Sequence, residues 1–192
     1  ILEPLKKNTA PAIISSTLIS DIKIDQPILF LPSDHYLPEK NKFNRILKSN
    51  LPNLNNNNIF IFGIKPKIPS SDYGYLLSKK VNKNIYKVIK FIEKPVQNNA
   101  KKIISQNGYW NSGIVLAKKE SIIKNAKKIQ KKLFVSCLNA TIKSKLKNDT
   151  TLEKAVTATG HPATAITAVM GWLGSFFSSF NLLEFDTAKD PS

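Results

Sequence analysis

Four apolar runs separated by turn and helix signals set the tightest limit on how this chain can fold. "QPILFLPSDH" (26–35) is closed by Pro32 and reads as a buried strand with Asp34 and His35 just beyond its end. "NIFIFGIKP" (58–66) is a second strand stopped by Pro66, and "NIYKVIKFIEKP" (84–95) a third that ends in Glu93, Lys94 and Pro95. "SGIVLA" (112–117) is the fourth. Between the last two, "NNAKKIISQNG" (98–108) has helical spacing and stops at Gly108. From Lys118 to Leu133 the residues Ile122, Ile123, Ala126, Ile129 and Leu133 fall on one helical face. Strands alternating with helices imply an α/β fold, Rossmann-like, with a mostly parallel sheet flanked by helices on both faces. The asparagine run at 55–58 is a surface loop, and there is no internal repeat.

The 192 residues suffice for a single domain with a real core, 1–192. A single cysteine, Cys137, excludes an internal disulfide framework and suits a reducing, cytoplasmic setting. Ile1 is followed by Glu3 and Lys6 with no apolar signal-peptide core, and the first residue is not Met, so a fragment is the expectation. The net charge of +16 invites a nucleic-acid role, but Arg45 is the lone arginine among 29 basic residues. Readers of nucleic acid favour the bidentate guanidinium fork. Lysine, asparagine and isoleucine are inflated together, as in "NLNNNNIFIF", and the lysines alternate with apolar residues as solvated helix faces do. No nucleic-acid partner is expected.

Beyond about residue 150 the texture changes from lysine to Ala, Thr, Gly and Phe. The uncharged stretch from Pro162 to Leu183 is long enough to raise the question of a membrane span. Five Ser/Thr, two Gly and an Asn make it too polar, and no membrane association is expected.

In open α/β sheets ligands bind beyond the carboxyl ends of the strands. Three polar clusters hold such places: "PSDH" after the first strand, "FIEKP" at the end of the third, and "YWNSG" just before the fourth. "SSDYGYL" (70–76) lies between them, with Gly74 able to let backbone approach a ligand. Asp34 is a candidate Mg²⁺ ligand, since Mg²⁺ takes one or two carboxylates plus substrate phosphates. Glu93 beside Lys94 pairs a hydroxyl acceptor with a phosphate-binding cation. Asn111 both donates and accepts, which suits a sugar. Each feature also has a plainer reading: Asp34 as a turn or cap residue, "EKP" as a charged strand end, "WNSG" as a tight turn under a packed Trp110, and His35 as a structural hydrogen-bonder.

The order of these motifs resembles the mannose-1-phosphate guanylyltransferases among the nucleotide-sugar pyrophosphorylases. "ILEPLKKNTAPAI" is similar to that family's E-P-x-x-x-N-T-A-P-A segment, and "LFLPSDHY" to its L-P-[AS]-D-H strand end. "FGIKPKIPSSDYGYL", "FIEKP" and "GYWNSGIVLAKKE" are similar to three further segments. The likeness is close over 1–133, and 134–192 diverges. It implies that mannose 1-phosphate and GTP form GDP-mannose and pyrophosphate, by in-line attack at the α-phosphorus with Mg²⁺ as cofactor. By the same resemblance Asp34 would bind Mg²⁺, and Asn8 and Thr9 would lie near the base. Gly74, Glu93 and Asn111 would hold the mannose and Lys94 its phosphate, which makes Asp34 and Lys94 the catalytic candidates. A homo-oligomer is left open.

Two features depart from the family pattern. The glycine-rich G-x-G-x-R-x-x-P loop and the first strand that carries it are missing from these residues. "TLEKAVTATGHPATAITAVMGWLGSF" (151–176) keeps the spacing from Thr151 to Gly171 and Trp172, but the Ser-Asp expected after Trp172 is missing, with Ala158 in place of a Glu and Glu153 of an Asp. Other readings are therefore another sugar-nucleotide pyrophosphorylase, such as a glucose-1-phosphate thymidylyltransferase, or a non-catalytic homologue acting as a binding or regulatory subunit. The 192 residues alone are expected to make no GDP-mannose and to bind GTP poorly; clear turnover with GTP, mannose 1-phosphate and Mg²⁺ would contradict this.

Overall fold

The structure, a computed structural model, describes residues 9–32, 36–37, 39–82, 85–146 and 180–185. The chain divides into two compact units, Ile1–Ile28 with Lys118–Ser175 and Leu29–Ala117 with Phe176–Ser192.

The first unit is helical. Helix α1 (Thr9–Ile19) admits Pro11 because its first turn has no intrahelical donor to lose. It buries Ala10, Ile13 and Ile14, and its buried Thr17 hydroxyl donates to the Ile13 carbonyl at 2.6 Å. Helices α4 (Lys119–Ile129) and α5 (Lys131–Leu146) pack on α1 and on each other. Their buried positions Ile122, Ala126, Leu133, Phe134, Cys137 and Ala140 follow helical spacing. The Lys119 ammonium donates to the Ser20 and Ile22 carbonyls at 2.6 and 3.2 Å, a cation placed just past the C-terminal end of α1. The single helix expected over 118–133 is two helices that part at Gln130 (φ −124°, ψ 52°). No glycine or proline marks the break, and the apolar period runs through it into Leu133, so periodicity alone cannot register the change of axis. The Gln130 carbonyl accepts from Phe134 N–H at 2.8 Å and so begins the next helix.

The second unit is built on the sheet. Its strands are β1 (Pro27–Phe30), which begins at the unit boundary, β2 (Ile59–Ile64), β3 (Tyr75–Lys80), β4 (Ile85–Ile92), β5 (Tyr109–Lys118) and β6 (Phe180–Phe185). Their order is β1-β5-β2-β6-β4-β3, and β3 also pairs with β5. The expected α/β class holds, but the sheet is mixed rather than mostly parallel. β2 and β6 run parallel from Ile59↔Phe180 to Ile64↔Phe185, whereas β2–β5, β3–β4, β3–β5 and β4–β6 are antiparallel. The difference comes from β3. "YLLSKK" ends in two lysines and carries no strand signal of its own, yet four residues link it to β4. A connection that short can only make an antiparallel hairpin, since a parallel crossover needs a dozen residues or more.

Helix α2 (Lys40–Asn50), followed by a 3₁₀ turn over Leu51–Asn53, presents Phe43, Ile46 and Leu47 to the sheet residues Phe60, Phe62, Ile114, Leu116 and Leu183. The Phe43 and Phe62 rings lie 5.1 Å apart. Helix α3 (Gln97–Ser105) sets Ala100 and Ile103 against Tyr75. Asn55–Asn58 form the expected loop, tied by Asn58 Oδ1 accepting from Asn55 N–H at 2.9 Å. Of the uncharged stretch 162–183, only 180–183 are described, and they belong to β6. Among the described residues no helix is long and apolar enough to cross a membrane.

Gly63 is the tightest point in the middle of the sheet. A Cβ there would meet the Leu182 side chain and come within 2.9 Å of Tyr109 Cβ. Gly63→Ala should destabilise the protein by about 1–3 kcal/mol through overpacking. Urea unfolding checks this, and an unchanged midpoint would show that the neighbours give way.

Candidate functional site

The site candidates Gly74, Glu93, Lys94 and Asn111 all belong to the sheet unit. Tyr75 pairs with Trp110 of β5 on one side and with Ile92 of β4 on the other. Carrying both antiparallel registers one residue further puts Asn111, Gly74 and Glu93 in one row across three strands. Two contacts agree with it. Asn111 N–H donates to the Gly74 carbonyl at 2.8 Å. A Cβ on Gly74 would lie 2.8 Å from Glu93 Oε2 and 2.6 Å from Phe91 Cζ. A side chain here would have to displace the Glu93 carboxylate and the Phe91 ring. An amide and a carboxylate thus flank a residue with no side chain.

"YWNSG" is neither a turn before the fourth strand nor a simple loop. It lies inside β5, which starts at Tyr109. The ladder with β2 slips between Ile61↔Val115 and Gly63↔Asn111, leaving a bulge at Ser112–Gly113. Gly113 takes φ +74°, where a side chain would be strained. The Asn111 carbonyl oxygen Oδ1 accepts from Gly113 N–H at 3.1 Å, which fixes the amide flip and leaves Nδ2 as a donor. Ser112 is buried; its hydroxyl donates to the Phe62 carbonyl at 2.7 Å and accepts from Ile114 N–H at 3.2 Å. Nothing in the motif itself distinguishes this anchor from a ligand-facing serine.

Trp110 alternates away from the row and packs with Tyr75, Ala100 and Ile103, its ring 4.7 Å from that of Tyr73. Its indole N–H is buried and has no partner among the described residues. The Tyr75 hydroxyl, on a fully buried side chain, donates to the Ser70 carbonyl and accepts from Ser70 N–H, both at 3.0 Å. This ties the loop leading to Gly74, and sequence reasoning missed it because Tyr75 reads as a strand aromatic.

Burial pushes the Glu93 carboxyl above the usual carboxylate range, and the neighbouring Lys94 ammonium opposes the shift without cancelling it. Lys94 itself is exposed and sits at φ +40°, immediately before Pro95. Left-handed backbone is costly for a side-chain-bearing residue, and such strain concentrates at functional positions.

Thr9 is the exposed first residue of α1 and lies in the helical unit. Asn8, Asp34 and His35 lie outside the described residues. Among the described residues there is no group of three or more His, Cys, Asp or Glu that could hold a metal ion. An open hollow of about 600 Å³ lies along Asn41, Asn44, Arg45, Lys48 and Ser49. All five belong to α2, four of them spaced as one solvated helix face, far from the chemistry of the row in type.

The chain is 40% identical over 125 residues to a mannose-1-phosphate guanylyltransferase of Escherichia coli, covering 60% of this chain and 27% of that protein. It is 34% identical over 149 residues to mannose-1-phosphate guanylyltransferase 2 of Escherichia coli O157:H7, covering 71% and 31%. The chain therefore spans about a third of the length of these curated relatives. Its fold is similar to the crystal structure of a mannose-1-phosphate geranyltransferase from Thermus thermophilus, at TM-score 0.70 and 20% identity over 96% of this chain and 52% of that one. It is also similar to a mannose-6-phosphate isomerase from Helicobacter pylori, at TM-score 0.69 and 22% identity, covering 96% and 70%. The sequence model of the nucleotidyl transferase family matches residues 1–173, most of the chain, and this chain belongs to that family.

Proposed function

We propose that the chain carries the sugar-phosphate half of a site that forms GDP-mannose and pyrophosphate from mannose 1-phosphate and GTP. The observation that carries the reading is the row Asn111–Gly74–Glu93, in which the glycine lets the Glu93 carboxylate lie close against the backbone beside Asn111. The Glu93 carboxylate accepts from sugar hydroxyls, Asn111 Nδ2 donates to them, and the Lys94 ammonium draws the phosphate. Attack of a sugar-phosphate oxygen on the α-phosphorus of GTP makes one P–O bond as the bond to pyrophosphate breaks. Such a reaction depends on positioning and charge rather than on a covalent nucleophile. Thr9 and Asn8 for the base, and Asp34 for Mg²⁺, belong to the proposal on their motifs alone. The names of the relatives favour mannose and guanine nucleotide over other sugars and bases.

Titration calorimetry of the chain with mannose 1-phosphate tests the sugar site. Glu93→Gln should weaken binding about 10–100-fold, the scale of a hydrogen bond to a charged group. Gly74→Ala should weaken it as well, by displacing the carboxylate. No heat with wild type, or equal affinity in Glu93→Gln, would overturn the reading.

The raised Glu93 pKa has consequences of opposite sign for stability and for binding. Because the folded pKa exceeds the unfolded one, this group favours folding most at low pH, and that contribution is lost as pH rises through the folded value. The ionised form is the better acceptor, so sugar affinity should fall as pH drops through a pKa above the ordinary ~4.3 of glutamate. Glu93→Gln should lack that step and keep only the titration of the ligand phosphate. Identical pH profiles would exclude Glu93 as the acceptor.

Lys94→Gly separates strain from function. Relief of the left-handed backbone should stabilise the fold by about 1 kcal/mol. The same change should weaken mannose 1-phosphate while leaving unphosphorylated mannose unaffected. Equal losses for both ligands would remove Lys94 from the phosphate.

A further inference from the structure

Asn111 has a glycine partner on each side, Gly74 of the loop before β3 and Gly63 of β2, and Gly63 in turn pairs with Glu184 of β6. The row therefore runs Glu93–Gly74–Asn111–Gly63–Glu184, with a carboxylate beyond each glycine. The two halves differ in what fills the glycine gap. Over Gly63 the space is taken by Tyr109 and Leu182. Tyr109 is 8% exposed, and its ring lies 6.0 Å from that of Tyr86. The Tyr86 hydroxyl donates to Glu184 Oε2 at 3.2 Å. Burial first, and then the Glu184 charge, push the Tyr109 phenol above its ordinary value, and its ring packs beside the Tyr86 ring that the Glu184 carboxylate ties down.

Tyr109 is also where β5 runs past the end of β2 and is taken up by β3, through Leu76↔Tyr109 and Tyr75↔Trp110. Asn111 lies between this point and the Ser112 anchor on the Phe62 carbonyl. Its position is held from both sides, by a backbone-seeking serine and by an aromatic wedge. Glu184 lies beyond residues 1–173, the part matched by the family, and no motif draws attention to it.

We infer that Glu184 is a positioning residue for the sugar site: through Tyr86 it holds Tyr109 over Gly63, and Tyr109 holds Asn111 in line with Gly74 and Glu93. The ligand arm of the test rests on the sugar reading above, and the exchange arm does not. Mannose 1-phosphate affinity and backbone hydrogen exchange at Asn111 are measured on the full chain and its variants Glu184→Leu, Glu184→Gln and Tyr86→Phe. Glu184→Leu and Tyr86→Phe should each weaken binding about tenfold, and Glu184→Gln, which keeps an acceptor oxygen, should recover most of it. The double variant Glu184→Leu/Tyr86→Phe should be no weaker than either single one, since both break the same link. The Asn111 N–H, bonded to the Gly74 carbonyl, should exchange faster in Glu184→Leu while Phe60 and Leu116 in the sheet core keep their protection. That pattern separates a local effect from general loosening, and Tyr86→Phe, which removes only the hydroxyl that reaches Glu184, preserves the test if Glu184→Leu folds poorly. Unchanged Asn111 exchange in both Glu184→Leu and Tyr86→Phe overturns the inference. So does a Glu184→Gln variant as weak as Glu184→Leu, which would make the charge itself the ligand contact. Faster exchange with no sugar binding in wild type keeps the positioning role and removes the sugar.

Discussion

Backbone can lie open between two polar side chains only where the residue between them has none. That constraint governs the row that runs from the end of β4 past Gly74 to β5. At Gly74 the neighbouring space already belongs to Phe91 and to the Glu93 carboxylate, so any larger residue would push the carboxylate away. The rest of the sheet unit serves that arrangement. Tyr75 is buried and ties down the approach loop through Ser70. The Ser112 hydroxyl donates to the buried Phe62 carbonyl at the point where the ladder slips. Gly113 accepts the left-handed backbone that the bulge requires. The site is therefore a property of strand register, and register is specified by which face of each strand is apolar.

The electrostatics follow from the same packing. Glu93 is partly withdrawn from water by its neighbours, which raises its pKa even beside a lysine. Lys94 reaches its place through a backbone conformation that side chains disfavour, held on one side by β4 and on the other by Pro95. The large positive charge of the chain plays no visible part in this. Arg45 and Lys48 lie on the solvated face of α2, as lysine-rich helix surfaces do, and Lys94 is the cation that adjoins the row among the described residues.

Legibility differed from residue to residue for physical reasons. Strands β2 and β4 were readable because their apolar runs end in turn residues within a few residues of the observed ends. Helix α3 was readable because Gly108 follows it and its period is clean. β3 was not, because Lys79 and Lys80 make its exposed end polar; its strand character comes from pairing with β4. The parting of α4 from α5 was hidden because the apolar face continues across Gln130. Glu184 was invisible for another reason: a glutamate in "FNLLEF" has no special neighbour along the chain, and its partner Tyr86 is far from it in sequence.

The sequence by itself determined the α/β class and the nucleotidyl transferase motifs, because residue type and local spacing are written in the chain. Only the tertiary structure decided that the sheet is mixed, that "YWNSG" is a bulged strand, and that Glu93 and Asn111 fall in one row with Gly74 between them. Those outcomes depend on pairing between strands distant in sequence, and the free energy of pairing resides in contacts that no single segment contains.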